Sequence, residues 1–400
     1  MEHNKLIFSK VPTLRFADYT DEWHKYALSD FVTRITRRNK NNESSLPLTI
    51  SAQYGLVDQI TFFNKTVASV DLSGYYLLYN GDFAYNKSYS NDYAWGAVKR
   101  LDKYEKGCLS SLYFVFRPTD KVDSDYLTHY FETNKWHKGI SDIAGEGARN
   151  HGLLNMAVDD YFATKHYLPS LSEQKKIACF LNLITKRIEI QNKIISKYET
   201  LIKGLSCDYF SKQPNHIAKL KDLIIKGKAG GTPSSTIAEY YNGNIPFLSI
   251  SDMTRQGKYV EFTEKHISEN GLANSSAWIV PSNSLILSMY ASVGLVCINK
   301  VPLATSQAMF SMVLKDCNML DYIYYYLNFF RETQIHRLLE TGTQSNINAD
   351  TVRDIEIPFY SNILVFVKTL QAIENRLNNE KDMLSRLMDL KTYLLSSLFI

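Results

Sequence analysis

Two long helical stretches, one in the middle of the chain and one at its end, constrain the possible folds most strongly. They cover residues 168–205 and 357–400, and neither Pro nor Gly occurs between residues 170 and 203. At an offset of 189 residues, apolar side chains fall at the same places in both stretches, in alternating steps of four and three. Such a 3.5-residue repeat is the a/d seam of a coiled coil.

Both predicted seams carry a polar residue at the same place. The first seam contains Ile177, Leu181, Ile184, Ile188, Gln191 and Ile195. The second contains Phe366, Leu370, Ile373, Leu377, Glu380 and Leu384. A polar residue inside a seam fixes the register at some cost in stability. The alternative is a pair of ordinary buried helices that share a period.

The repetition extends beyond the helices. Residues 28–32 (LSDFV) resemble residues 220–224 (LKDLI), and Leu-Pro or Ile-Pro precedes each helix. The chain is therefore predicted to be a tandem duplication with four segments: globular 1–169, helical 170–214, globular 215–358 and helical 359–400. Short stretches rich in β-branched and aromatic residues alternate with turn residues in the globular parts. We expect the α+β class, with the two helices packed as an antiparallel coiled coil that separates the globular domains.

The charge and cysteine content exclude several classes of protein. The net charge is only +4, so a basic surface has to be local. The five cysteines form no CxxC pair, which argues against a zinc site.

The N-terminus has no apolar signal core and no run of 18 apolar residues occurs. We expect a cytoplasmic protein with reduced thiols.

Candidate DNA contacts lie in short basic or Gly-rich polar segments of both halves. Lys, Arg, hydroxyl groups and backbone amides contact phosphates, and amides or Arg read base edges. The candidates are Arg34, Arg37, Arg38, Lys40, Arg149, Asn150, Lys226, Lys228, Thr232, Ser234, Gln344 and Asn346. A helix of 35 residues is roughly 50 Å long, more than the ~34 Å of one turn of B-DNA. The alternative for each segment is a solvated turn.

No motif for catalysis was found. The chain lacks GxxxxGK[ST], HExxH and GxSxG, and it lacks the cofactor and catalytic motifs of an adenine methyltransferase. Glu173 and Lys175 fit an ExK pattern, but they stand at a helix start with no matching Asp on a neighbouring strand. The sequence predicts a binding protein without catalytic residues or a metal site.

The order of the motifs resembles that of the specificity (S) subunit of type I restriction–modification enzymes, over essentially the whole chain. The matching stretches are Leu14–Phe16 with Asp21–Trp23, Tyr79–Ser88, Leu168–Pro169 with Glu173–Gln174, Gly231–Ser234, Ile245–Ile250 and Ala304–Ala308. The second helix departs from the pattern, because Asn362–Ile363 stand where the first helix has Glu173–Gln174.

The resemblance implies a non-catalytic subunit with two target-recognition domains. Each domain would read half of a bipartite, asymmetric site in double-stranded DNA. The helices would set the half-site spacing and dock two modification (M) subunits, which carry S-adenosylmethionine and methylate adenine N6. Restriction (R) subunits would use ATP and Mg²⁺, so this chain would bind no cofactor. Two alternatives are a two-ended protein-binding scaffold that does not bind DNA and the specificity half of a fused or atypical system.

Overall fold

The chain folds into two compact units that each contain segments of both long helices. The computed structural model describes residues 11–65, 67–90, 93–144, 152–337 and 346–400. One unit comprises residues up to Asn192 together with Asp382–Ile400, and the other comprises Lys193–Lys381. We call them unit 1 and unit 2. The division between units thus runs through the helices rather than at their ends.

Two α-helices are far longer than the rest, and they coincide with the two heptad stretches. In chain order the α-helices are α1 (Gln59–Phe63), α2 (Ser124–Tyr130), α3 (His137–Ile143), α4 (Val158–Ala163), α5 (Leu171–Phe210), α6 (Leu220–Leu223), α7 (Ile250–Gln256), α8 (Glu269–Ala273), α9 (Leu320–Thr333), α10 (Ala349–Arg353) and α11 (Ile363–Ser397). α5 begins after Pro169 and ends before Pro214, as expected for a residue type that removes a backbone donor.

The strands are short, two to six residues each, as predicted for an α+β protein. In chain order they are β1 (His24–Ala27), β2 (Val32–Arg34), β3 (Leu48–Ser51), β4 (Gly55–Asp58), β5 (Tyr76–Tyr79), β6 (Phe83–Asn86), β7 (Ala97–Arg100), β8 (Lys106–Leu109), β9 (Phe114–Pro118), β10 (Lys165–Leu168), β11 (His216–Lys219), β12 (Ile224–Ala229), β13 (Ile245–Leu248), β14 (Tyr259–Val260), β15 (Lys265–Ile267), β16 (Leu285–Ser288), β17 (Val296–Asn299), β18 (Ala304–Thr305), β19 (Met309–Leu314) and β20 (Glu356–Phe359).

The main sheets of the two units differ in size and strand direction. Unit 1 has a four-stranded sheet in the order β2-β9-β6-β7, with all neighbours antiparallel. Unit 2 has a five-stranded sheet in the order β12-β19-β16-β17-β14, in which β14 runs parallel to β17. Unit 2 also has a smaller sheet, β15-β13-β18, with β18 parallel to β13. The halves therefore hold different sheets.

The borders of the globular parts are nevertheless built in the same way. An antiparallel pair closes each part, β1 with β10 and β11 with β20. The buried Leu28 donates its backbone N–H to the carbonyl of Thr164 at 2.9 Å, and the buried Leu220 donates to Ile355 at 2.9 Å. These leucines open the two matching stretches of sequence, so the duplication is visible in the hydrogen bonds.

The heptad residues lie on the less exposed face of each long helix. Leu181, Gln191 and Ile195 are buried in α5, and the other seam positions of that helix are at least half-buried. In α11, Phe366, Leu370 and Leu377 are buried, and the remaining seam positions are half-buried. Between these positions the side chains are mostly exposed, as a one-sided apolar stripe requires.

Opposite ends of the helices share a core within each unit. In unit 1, Leu181 near the start of α5 packs in one cluster with Leu394 and Leu398 near the end of α11. In unit 2, Tyr209 at the end of α5 stacks on Phe366 near the start of α11, with ring centroids 3.8 Å apart. The helices therefore pack antiparallel within each unit. That they form one continuous coiled coil stays a prediction.

Candidate nucleic-acid interface

Two of the polar motifs singled out in the second half meet at one surface of unit 2. Gly231 donates its N–H to the carbonyl of Thr305 at 2.9 Å, and Gly230 donates to Met309 at 3.1 Å. A Cβ at Gly230 would lie 2.0 Å from the Thr305 carbonyl oxygen, so only glycine permits this approach. The motifs Gly231–Ser234 (GTPS) and Ala304–Ala308 (ATSQA), which are far apart in sequence, thus form a single surface.

Side chains of these motifs also contact each other. The hydroxyl of Thr232 donates to the amide oxygen of Gln307, with Oγ1 and Oε1 2.5 Å apart. Ser234 lies beyond this contact, with its hydroxyl 2.8 Å from that of Thr236. Thr232, Ser234 and Gln307 are all exposed. The surface therefore presents hydroxyl and amide groups, which can donate to and accept from DNA.

Two lysines stand on β12, next to this surface. The ammonium of Lys226 lies 4.0 Å from the ring centroid of Trp278, and that of Lys228 donates to the carbonyl of Ser276 at 3.3 Å. Ser276 in turn donates its hydroxyl to the carbonyl of Gly230 at 3.4 Å. Both lysines are exposed and free to add a phosphate contact. The predicted basic and polar residues of this segment thus lie together.

A third segment reaches the same surface through backbone contacts. Met289 donates its N–H to the carbonyl of Ala308 at 2.8 Å, and Ile347 donates to the carbonyl of Met289 at 3.1 Å. Asn346, one of the predicted DNA-contacting residues, is half-buried and directly precedes Ile347. The predicted contacts Arg149, Asn150 and Gln344 lie outside the described residues.

In unit 1, the domain itself uses part of the predicted basic segment. Arg37 donates to the buried carboxylate of Asp82 at 2.7 Å and to the carbonyl of Leu77 at 3.0 Å. Arg117 donates to the other oxygen of Asp82 at 2.6 Å. A buried carboxylate requires such partners. Arg37 therefore has a structural role that its sequence context did not indicate.

The other basic residues of this segment differ in their availability. Arg38 donates to the carbonyl of Gly74 at 2.7 Å and lies over the ring of Tyr76, 4.4 Å from its centroid. Arg34 at the end of β2 and Lys40 are exposed. Among the described basic candidates of unit 1, Arg34 and Lys40 are consequently the ones that present open charge.

The ExK pattern at the start of α5 is part of a structural ion pair. Arg15 donates from Nε and Nη2 to the two carboxylate oxygens of Glu173, at 2.7 and 2.8 Å. The Glu173 side chain is only 1% exposed, and its neighbour Gln174 accepts from the backbone of Asp123 at 2.8 Å. The pair raises the pKa of Arg15, mainly through the hydrogen bond. Glu173 and Gln174 thus connect the start of α5 to the globular part of unit 1.

Each unit also binds its long helices through an acidic residue at the same place. Asp125 and Asp321 are the second residues of α2 and α9. Asn182 of α5 donates to Asp125 at 2.9 Å, and Gln371 of α11 donates to Asp321 at 2.7 Å. These two amides are 189 residues apart, the same offset as the seams. We call the two contacts the helix anchors.

A cation completes each helix anchor. Arg100 donates to Asp125 at 2.7 Å. Lys258 lies 2.8 Å from Asp321 and donates to Glu374 of α11 at 2.6 Å. Burial alone would raise the pKa of Asp125 and of Asp321, but the neighbouring cation outweighs it and holds both below the ordinary value. The sequence pattern did not indicate the anchors, although Asp-Tyr occupies the second and third positions of both helices.

The described part of the chain contains no cluster of three or more His, Cys, Asp or Glu side chains arranged to hold a metal ion. Among the described helices, none is long and apolar enough to cross a membrane. The candidate contact residues that are described offer amide, hydroxyl, ammonium and guanidinium groups. Such groups form hydrogen bonds and ion pairs with phosphates and base edges.

The chain is similar in sequence and in fold to specificity subunits of type I restriction–modification enzymes. Residues 214–381 match the family described as type I restriction modification DNA specificity domain. The specificity subunit of the type I restriction enzyme MjaIX from Methanocaldococcus jannaschii is 30% identical over 147 residues, 36% of this chain and 34% of that protein. The HindI specificity subunit from Haemophilus influenzae is 31% identical over 180 residues, 43% of this chain and 38% of that protein. These matches span little more than a third of each relative.

The fold is shared over almost the whole chain. The S subunit of a type I restriction-modification system from M. genitalium superposes with a TM-score of 0.57 at 15% identity, covering 98% of this chain and 99% of that one. A chain from a study of assembly and conformational transition in the type I R-M system also gives 0.57, at 16% identity, covering 94% and 97%. Residues 214–381 thus match a type I restriction modification DNA specificity domain, and the chain as a whole has the fold of solved type I S subunits.

Proposed function

We propose that this chain reads a bipartite, asymmetric site in double-stranded DNA, one half-site with each globular domain. The observation that carries the proposal is duplication with divergence. The border contacts of Leu28 and Leu220 are the same in both halves, whereas the sheets between the borders differ. Different sheets present different side chains, and different side chains read different bases.

In this proposal the long helices set the distance between the half-sites and dock two modification subunits. Those subunits bind S-adenosylmethionine and methylate adenine N6, and restriction subunits that use ATP and Mg²⁺ join them. The chain itself binds no cofactor and performs no chemistry. The names of its relatives as specificity subunits of restriction enzymes support this division of labour.

The first encounter with DNA is electrostatic in this mechanism. The exposed Arg34 and Lys40 of unit 1, and Lys226 and Lys228 of unit 2, contact phosphates. Phosphate contacts release counterions, so the affinity falls as the salt concentration rises. The loops then test base edges, and the modification subunits flip the target adenine out of the stack, because it cannot be reached inside the duplex.

The decisive experiment is co-expression of the chain with its neighbouring methyltransferase, followed by sequencing of the host DNA for N6-methyladenine. We expect one split motif with a fixed gap. Absence of methylation by a purified stoichiometric complex, together with no salt-sensitive DNA retention, would contradict the proposal. That result would favour a scaffold that binds proteins at both ends.

The spacing function has a separate test. Seven residues inserted after Gln191 in α5 and after Glu380 in α11 lengthen both helices by about 10 Å without breaking the heptad phase. At ~3.4 Å per base pair, the preferred gap should grow by about three base pairs. The bases of each half-site should stay the same. An unchanged gap would refute the helices as the spacing element.

A further inference from the structure

The loop between β16 and β17 holds an exposed tyrosine in a conformation that costs energy. Ala291 and Ser292, neither of them glycine, have φ angles of 29° and 55°. L-residues disfavour this left-handed region because of their Cβ. Such backbone conformations persist only where the surroundings enforce them, and they concentrate at functional sites. Tyr290 directly precedes them, and its side chain is 41% exposed.

Buried contacts enforce this conformation. The hydroxyl of the buried Ser288 lies 2.5 Å from the carbonyl oxygen of Tyr290 and 2.9 Å from that of Ala291. Gly294 closes the loop by donating its N–H to the carbonyl of Ser288 at 2.8 Å. Ser288 therefore fixes the backbone of Tyr290 through these contacts, while Tyr290 itself stays partly exposed.

The same loop lies beside Gln307. Met289, at the start of the loop, donates to the carbonyl of Ala308, the residue that follows Gln307. Thr232 also orients Gln307, since its hydroxyl donates to the amide oxygen at 2.5 Å. The amide oxygen of the exposed Gln307 is thus held by Thr232. The neighbouring loop carries Tyr290, whose backbone is fixed. This support reduces the side-chain entropy that Gln307 would lose on binding a ligand.

The oriented amide matches the edge of one base. With one lone pair of Oε1 occupied by Thr232, Gln307 keeps a second lone pair and two N–H donors. In the major groove, adenine offers an acceptor at N7 and a donor at N6, the pair that a glutamine amide recognises. Lys228, held against Ser276 beside Gly230, supplies a positive charge for the phosphates nearby.

We propose that Gln307, oriented by Thr232, reads an adenine in the half-site of the second domain, with Tyr290 packed against the adjacent nucleotide. The inference rests on the proposed function and adds the reading residue and the base. It assigns Thr232 to a positioning role. It also separates the base-reading group from Lys228, whose contact is the same for every sequence.

The test uses the full complex with its methyltransferase and a panel of duplexes, each with one base pair of the methylated motif replaced. Gln307→Ala should weaken binding of the native site at least ~10-fold, and it should abolish discrimination at a single A·T position of one half-site. Thr232→Val should lose part of that discrimination. Tyr290→Ala should weaken binding while the preferred bases stay the same.

Matched controls separate base reading from general effects. Gln213→Ala removes another exposed glutamine of unit 2 and should change nothing. Lys228→Ala should weaken binding of all duplexes alike and reduce the salt dependence by about one phosphate contact. If Gln307→Ala does not assemble, the similarly shaped Gln307→Glu enters the same panel, where it should shift the preference away from adenine.

The outcomes distinguish this inference from the proposed function. If the native complex methylates no split motif, the proposed function fails before any variant is compared. If the native complex does methylate one, a loss confined to one A·T position supports the role of Gln307. An unchanged motif, or a loss equal across the panel, overturns it.

Discussion

Each unit contacts the long helices through an aspartate at an equivalent position, but the cation that pairs with this aspartate differs between the units. In both, an Asp at the second position of a helix accepts from an amide of α5 or α11. In unit 1 the cation is Arg100 at the end of β7, and Asp125 is 45% exposed. In unit 2 the cation is Lys258 just before β14, only 11% exposed, and Asp321 is 21% exposed.

The difference shows which part of the duplicated unit is fixed. The Asp and the amide belong to helices that both halves retain, and the amides of Asn182 and Gln371 recur at the offset of the two seams. Arg100 ends β7, whereas Lys258 stands in the turn before β14, and the sheets that contain these strands differ. A domain of this kind can change its sheet and its outward loops, provided that a residue in or next to a strand supplies a positive charge to the equivalent carboxylate.

If the seam is the common part, equivalent seam substitutions should have equal effects in both units. Leu181 and Leu370 are fully buried and occupy the same heptad place. We expect Leu181→Ala and Leu370→Ala each to lower the free energy of unfolding by about 3.5 kcal/mol, since both lose apolar contacts and leave a cavity. Denaturant unfolding of the purified chain measures the change.

The matched controls are exposed leucines on the same helices. Leu183→Ala and Leu364→Ala remove side chains that are 61% and 65% exposed, and should each change the stability by less than about 0.5 kcal/mol. Equal losses at buried and exposed positions would contradict the predicted seam.

The cations should have unequal effects. Lys258→Met leaves Asp321 and Glu374 partly buried without their positive partner, and we expect a loss of about 3 kcal/mol. Arg100→Met leaves carboxylates that water already reaches, so the loss should be about 1 kcal/mol. Urea titrations of both variants, with the exposed Lys265→Met as reference, test this order. Equal losses would remove the contrast between the anchors.

The pH dependence of unit 1 should reveal a histidine in its core. His166 is buried between the hydroxyls of Tyr130 and Thr164, each 2.8 Å from a ring nitrogen. Burial lowers the pKa of His166 from 6.5 to about 4. The unfolded chain therefore binds a proton that the folded chain does not, so stability falls as the pH drops from 6.5 towards 4. At pH 5 the loss should be about 2 kcal/mol.

The variant His166→Gln separates this effect from other titrations. Glutamine keeps a donor and an acceptor but has no proton to gain in this range. The difference in unfolding free energy between pH 7 and pH 5 should therefore shrink by most of those ~2 kcal/mol. An identical pH dependence in the variant and the native chain would show that His166 does not titrate as predicted.

The helices, the duplication and its borders could be predicted because each rests on a pattern that is local in sequence. The heptads need only spacing, and the seam positions from Ile177 to Leu384 indeed lie on the less exposed face. The borders need only two similar stretches. Both features follow from periodicity, which one chain is sufficient to reveal.

The groups of the candidate interface were harder to predict, because their partners are distant in sequence. In sequence Arg37 resembles an open charge, but it pairs with the buried Asp82, which is 45 residues away. Gln307 stood in a recognised motif, but its contact with Thr232 spans 75 residues. The strain at Ala291 has no signal in sequence, since neither Ala nor Ser marks a left-handed backbone.

The sharing of both helices between the units has a consequence for synthesis. Leu394, Leu398 and Phe399 complete the core of unit 1, whose other members lie within the first 181 residues. Most of unit 1 therefore leaves the ribosome long before the C-terminal segment that completes its core is synthesised. At roughly 5–20 residues per second, that interval lasts at least ten seconds. The domain that is translated first is the last to be finished, and until then its unfilled apolar surface is open to chaperones.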